Sequence, residues 1–162
     1  MKNLILLCFF VLSFNYRSSL LQKNDMNVYR NLISELGIPD DVSVHHQTST
    51  ETLLKVDFKK TMSNKWYGDG IIQGCDVFFN QIRIDTLKNT HLTSNIGKHP
   101  FTTKTNEPFV AFSPVIYSAD GKMVICSVNH YSDPEAASET VYLLKLERGT
   151  WKIVRFYMVS IS

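Results

Sequence analysis

The feature that most restricts this chain is its last third, where short apolar runs alternate with compact turn sequences. That rhythm suits an antiparallel meander. Ala111 to Tyr117 is apolar around Pro114, and proline, having no N–H to donate, places that segment at an edge or at the beginning of a strand. Ser118-Ala119-Asp120-Gly121-Lys122 has the chemistry of a tight hairpin loop, with Gly121 free to take a positive φ. Met123 to Tyr131 returns with Val124, Cys126 and Val128 on one face. Ser132 to Glu139, carrying Pro134, reads as a surface loop. Val141 to Glu147 is the third strand, Arg148-Gly149 the next turn, and Trp151 to Ile161 the closing strand.

Upstream, a helix is expected from about Asn24 or Asp25 to Leu36. Met26, Tyr29, Ile33 and Leu36 recur at helical spacing, and Val28 and Leu32 widen the stripe. Asn24 or Asp25 caps its start, Gly37 suits the C′ position, and Pro39 forbids continuation. Such a stripe is expected to pack on a sheet. Pro39 to Thr52 is polar and reads as a loop, whereas Leu54, Val56 and Phe58 alternate with Lys55, Asp57 and Lys59 like a half-buried strand. Trp66-Tyr67-Gly68-Asp69-Gly70 reads as a turn edged by two aromatics. In Ile71 to Leu87, Val77-Phe78-Phe79 and Ile82-Arg83-Ile84 suit two short strands or one helix, and their β-branched and aromatic content favours strands. Thr90 to Pro108 reads as an irregular connection. The expected fold is therefore α+β, an N-terminal helix packed on a twisted antiparallel sheet with a C-terminal β-meander.

The first residues read as a secretory signal over residues 1–17, leaving a single domain over residues 18–162. Lys2 supplies the positive start, and Leu4 to Phe14 is an apolar run of 11 residues relieved only by Ser13. That run is shorter than the roughly 20 residues needed to cross a bilayer. Cys8 lies too early within the run for lipid attachment at its end. Without Lys2 and Arg17 the 17 basic residues fall to 15, equal to the 15 acidic ones. The remaining chain has no basic excess to attract nucleic acid, and no integral membrane segment follows the leader. Cys75 and Cys126 remain. An oxidising compartment permits a disulfide between them, while a domain of this size is equally served by two free buried thiols.

Histidines are the obvious carriers of chemistry. Adjacent side chains diverge in an extended chain, so His45 and His46 are not expected to share a metal ion, and His91 and His99 lie eight apart with no acidic ligand at a characteristic spacing. No H-E-x-x-H, C-x-x-C, G-x-S-x-G or glycine-rich phosphate loop occurs, so neither metal nor cofactor is expected. His130, at the end of the second meander strand, is followed by Tyr131, Asp133 and Glu135. A rim histidine beside carboxylates can serve as a general base, but more often it is a strand-end residue hydrogen-bonded to its loop. Trp66 and Tyr67 are the candidate binding pair, extended by Tyr131, Trp151 and Tyr157 to a platform for glycan or peptide, although Trp151 suits the core better.

Phe112-Ser113-Pro114-Val115-Ile116-Tyr117-Ser118-Ala119-Asp120-Gly121-Lys122, Tyr142-Leu143-Leu144-Lys145 and Gly149-Thr150-Trp151-Lys152-Ile153 together resemble a group of uncharacterised secreted and lipoprotein domains of Bacteroidetes-type bacteria. The resemblance covers roughly 50 of the 162 residues. It implies a shared hairpin, strand and closing strand, but no activity. Where those relatives carry a Cys-Gly pair, this chain has Ser132-Asp133-Pro134-Glu135-Ala136-Ala137. The "G-x-W-x-I" ending is also similar to that of cone-shaped domains of the nuclear transport factor 2 type. The leading expectation is an exported, non-catalytic domain that binds a protein, peptide or glycan in the periplasm, at the cell surface or outside. The alternatives are a small exported hydrolase using His130 with Asp133 or Glu135, and a structural part of an envelope assembly.

Overall fold

The computed structural model describes residues 24–58, 75–92, 95–104, 106–133 and 136–161. The expected leader, with Lys2 and the Leu4 to Phe14 run, lies outside these residues, as does the turn expected over Trp66 to Gly70. The framework is a seven-stranded sheet with helices on both faces. In order across the sheet the strands run β2 (Phe101–Thr102), β1 (Ser43–His45), β3 (Phe109–Phe112), β5 (Met123–Tyr131), β6 (Ala137–Glu147) and β7 (Thr150–Ile161). β4 (Ile116–Tyr117) also pairs with β5. β5, β6 and β7 are antiparallel neighbours, the meander expected from the turns. β1 runs parallel to both β2 and β3, which makes the sheet as a whole mixed.

The turns explain the meander's register. Arg148 and Gly149 have φ of 51° and 84°, both positive, as the right-handed twist of a two-residue hairpin requires. Pro114 divides β3 from β4, and Ser113 bridges the gap: its N–H donates to Ser127 O at 3.0 Å and its Oγ accepts from Ser127 N at 2.8 Å. β5 therefore keeps partners along its length although the facing chain is broken.

The N-terminal helix α1 is described over residues 24–36. It ends in a Schellman arrangement, Ile38 N donating to Ile33 O at 3.1 Å and Gly37 N to Ser34 O at 3.3 Å, with Gly37 at φ 62°. Its stripe of Met26, Val28, Tyr29, Leu32 and Ile33 packs on Val110, Phe112, Val124, Cys126, Val128, Leu144 and Trp151. The opposite face is covered by α2 (Glu51–Leu54), α3 (Cys75–Gln81) and the turn Ile84–Thr86.

That second layer corrects two expectations. Leu54, Val56 and Phe58 do not form a strand: Leu53, Val56 and Phe58 are buried while Leu54 is 63% exposed. Leu53 and Leu54 are adjacent, so the stretch carries an i, i+3 pattern (Leu53, Val56) as well as a period of two, and covering the sheet selects the helical one. Residues 75–81 likewise form a helix instead of a strand, burying Phe78 and Phe79 with Ile82 packed beside them. Tertiary packing overrides the β-propensity of these side chains. The loop expected over residues 39–52 contains β1, and the connection over residues 90–108 contains β2.

Candidate functional site

Residues of β1, β3 and β5, with the chain that leaves β1, line a cleft of about 450 Å³ on one face of the sheet. Its floor is an aromatic ladder. Phe109 and Tyr131 are direct cross-strand partners whose rings stack at 4.4 Å and 16°. His45 adds a third ring 5.7 Å from Phe109. Phe109 is buried and Tyr131 only partly so, which leaves Tyr131 and His45 as the rings a ligand can reach.

The wall is built by the chain leaving β1. Gln47 pairs with His91 as an isolated bridge, Thr48 N donates to Thr90 O at 2.9 Å, and Thr90 N donates to Thr48 Oγ1 at 2.8 Å. This lacing holds Gln47, Thr48, Ser49 and Asn89 around the cleft. Asn89 Oδ1 accepts from Thr50 N at 3.0 Å, so its amide nitrogen is the end left facing outward. His45 Nδ1 lies 3.0 Å from Gln47 O, which fixes the ring. The described lining holds amides, hydroxyls, an imidazole and aromatic rings, and neither a carboxylate nor an ammonium or guanidinium group.

His46 lies just past the end of β1, in a bend, and its ring centroid is 4.9 Å from that of His45 and 5.3 Å from that of His91. The two adjacent rings thus do not diverge as an extended chain would require. Among the described residues no three His, Cys, Asp or Glu side chains are grouped to hold a metal ion. His99 is buried and its Nδ1–H donates to Val42 O at 2.9 Å, a structural role.

His130 points to the other face, paired across the sheet with Val110 and Ser138. It borders a smaller hollow of about 320 Å³ with Leu36, Ile38, Thr140 and Tyr142. Asp133 Oδ1 accepts from Ala136 N at 2.7 Å, which ties that carboxylate to its own turn, and Glu135 lies outside the described residues. Trp66 and Tyr67 also lie outside them. Of the extended platform, Trp151 is core, Tyr157 packs under the second layer, and Tyr131 alone lines the cleft.

Cys126 is a free, fully buried thiol. Its Sγ sits in the α1-side core 3.6 Å from Ser113 O, and burial pushes its pKa up to about 12 against the smaller opposing effect of the Ser113 hydrogen bond. A thiol this hard to ionise is no nucleophile.

A different polar network crosses the second face. Thr52 Oγ1 donates to Asn129 Oδ1 at 2.7 Å. The buried Glu139 accepts from Lys55 Nζ at 2.7 and 2.8 Å and from Ser160 Oγ at 2.9 Å. These bonds satisfy groups that the sheet and α2 enclose, and they anchor α2 behind the cleft.

Sequence reasoning missed His45, Gln47, Asn89 and Phe109 as neighbours. A three-residue strand flanked by Val42 and His46 carries too few periods to be read, and Asn89 reaches the cleft through the Thr48–Thr90 lacing. No family pattern, no curated protein and no solved structure matches this chain. Among the described residues no helix is long and apolar enough to cross a membrane.

Proposed function

We propose that this protein is an exported binding domain whose β1–β3–β5 cleft takes a neutral, hydroxyl-rich ligand, a glycan. One observation carries the reading: a reachable aromatic ring, Tyr131 stacked on Phe109, faces a rim of amides and hydroxyls with no carboxylate, ammonium or guanidinium in the described lining. Sugar rings offer C–H faces to aromatic groups and hydroxyls to amides, and a lining without fixed charge favours an uncharged one. Support for export comes from Lys2 and the 11-residue apolar run, and from the resemblance of the meander motifs to secreted bacterial domains. The hydrolase alternative has less behind it, because the Asp133 carboxylate is engaged within its own turn.

The test is binding to an array of neutral oligosaccharides, with unmodified peptides as the comparison. Saturable binding to neutral oligosaccharides is expected, weakened at least tenfold in Tyr131→Ala and in Gln47→Ala. Binding confined to peptides, or binding unaffected by both substitutions, overturns the reading. Glycoside turnover that disappears in a folded His130→Ala variant would establish the hydrolase instead. Intact mass of protein from native cells tests the leader, with loss of about 17 residues expected.

A further inference from the structure

A second cleft, of about 660 Å³, opens between α1 and the two hairpin turns of the meander, far along the sheet from β1. Asn24, Asn27 and Asn31 stand at i, i+3 and i+7, one stripe of α1, and all three line it. Asn24 suits the helix start, but asparagine is a poor former of helix interiors, so local stability does not account for Asn27 and Asn31. The facing wall is the β6–β7 turn with Gly149, Thr150 and Trp151, and the β4–β5 turn with Gly121. A Cβ built on either glycine meets nothing within 4 Å, so both turns leave the mouth open.

Two of the asparagine oxygens are already engaged. Asn27 Oδ1 accepts from Arg30 Nη1 at 3.3 Å, and Asn31 Oδ1 accepts from Trp151 N at 3.4 Å. With both oxygens engaged, the amide NH2 groups of Asn27 and Asn31 are the ends left open. Arg30 is exposed and, among the described residues, has no carboxylate partner. No carboxylate stands in the described lining, and Asp25, next to Asn24 in sequence, accepts from Tyr117 Oη at 2.8 Å. The Arg30 guanidinium and the amide NH2 groups of Asn27 and Asn31 thus face a space far larger than one ion.

We propose that this cleft binds a carboxylate-bearing ligand of monosaccharide size, an acidic sugar. Arg30 receives the carboxylate, since its planar fork matches the two oxygens, and the asparagine amides receive ring hydroxyls. The site is separate in residues and in ligand charge from the β1–β3–β5 cleft, and does not depend on the reading given for it.

The experiment is a titration of the isotopically labelled protein with glucuronate, galacturonate and N-acetylneuraminate, followed through the side-chain amide signals of the three asparagines and the Arg30 Nε–H. Glucose and inorganic phosphate are the controls. Saturable shifts at these signals are expected with at least one acidic sugar and not with glucose. Arg30→Gln should weaken that binding at least tenfold while leaving the other amide signals in place, and Tyr131→Ala should leave it unchanged. No saturable shift with any of the three, undiminished binding in Arg30→Gln, or equal binding of phosphate overturns the proposal.

Discussion

Asp25 offers a direct test of how the α1-side core is held. Burial raises its carboxyl from 3.8 to about 6, and the hydrogen bond from Tyr117, which favours the ionised form, only partly opposes this. In the unfolded chain the proton leaves near the ordinary value. Between about pH 4 and pH 6 the folded protein thus holds a proton that the unfolded one has lost, and stability falls as pH rises through that window. The cost is fully present above the folded value and absent well below the unfolded one. A difference of about 2 units at about 1.4 kcal/mol each is about 3 kcal/mol, and partial contact with water lowers this to about 2 kcal/mol. Asp25→Asn keeps an acceptor for Tyr117 Oη and removes the charge. Urea unfolding should find the variant about 2 kcal/mol more stable than the parent at pH 8, with the gain within about 0.5 kcal/mol of zero at pH 4 and the m-value unchanged. Comparing variant with parent at each pH cancels the histidines, which titrate in both. A gain of the same size at both pH values, or a loss at pH 8, would refute the reasoning.

Trp151, only 7% exposed and edge-on to Tyr117 at 6.2 Å, should cost about 3–5 kcal/mol when replaced by Ala, and a loss under about 1 kcal/mol in denaturant would contradict its place in the core. Lys55→Met should cost about 2 kcal/mol, because it leaves the buried Glu139 carboxylate with Ser160 as its remaining described partner. Adding Glu139→Gln to that variant should recover part of the loss, and strictly additive effects would mean the pair is uncoupled.

The meander was legible because every signal in it is local. The Arg148-Gly149 turn, the Ser118 to Lys122 hairpin and the alternation along Met123 to Tyr131 lie within a few residues of what they specify. Helix α1 was legible for the same reason, its stripe and Gly37 terminator being contiguous. The second layer was not. Phe78 and Phe79 become helical because a formed sheet face needs covering, and nothing in residues 71–87 states that the face exists. The candidate cleft was least visible of all, since Asn89 and Gln47 are brought together by the Thr48–Thr90 lacing, 42 residues apart, and Phe109 meets Tyr131 across 22 residues. Tyr131 alone had been grouped with binding residues.

β1 lies between two strands that follow it by about 60 residues. A ribosome adding 5–20 residues per second takes about 3–12 s to supply them. Helix α1 waits longer still, since Asn31 meets Trp151 across 120 residues of chain. Through that interval the apolar stripe of α1 has no sheet to lie on, while β5, β6 and β7 need only their own hairpins once made. The newborn N-terminal half therefore keeps its apolar stripe uncovered until the last strand arrives, and any factor that escorts this protein has those seconds in which to hold it.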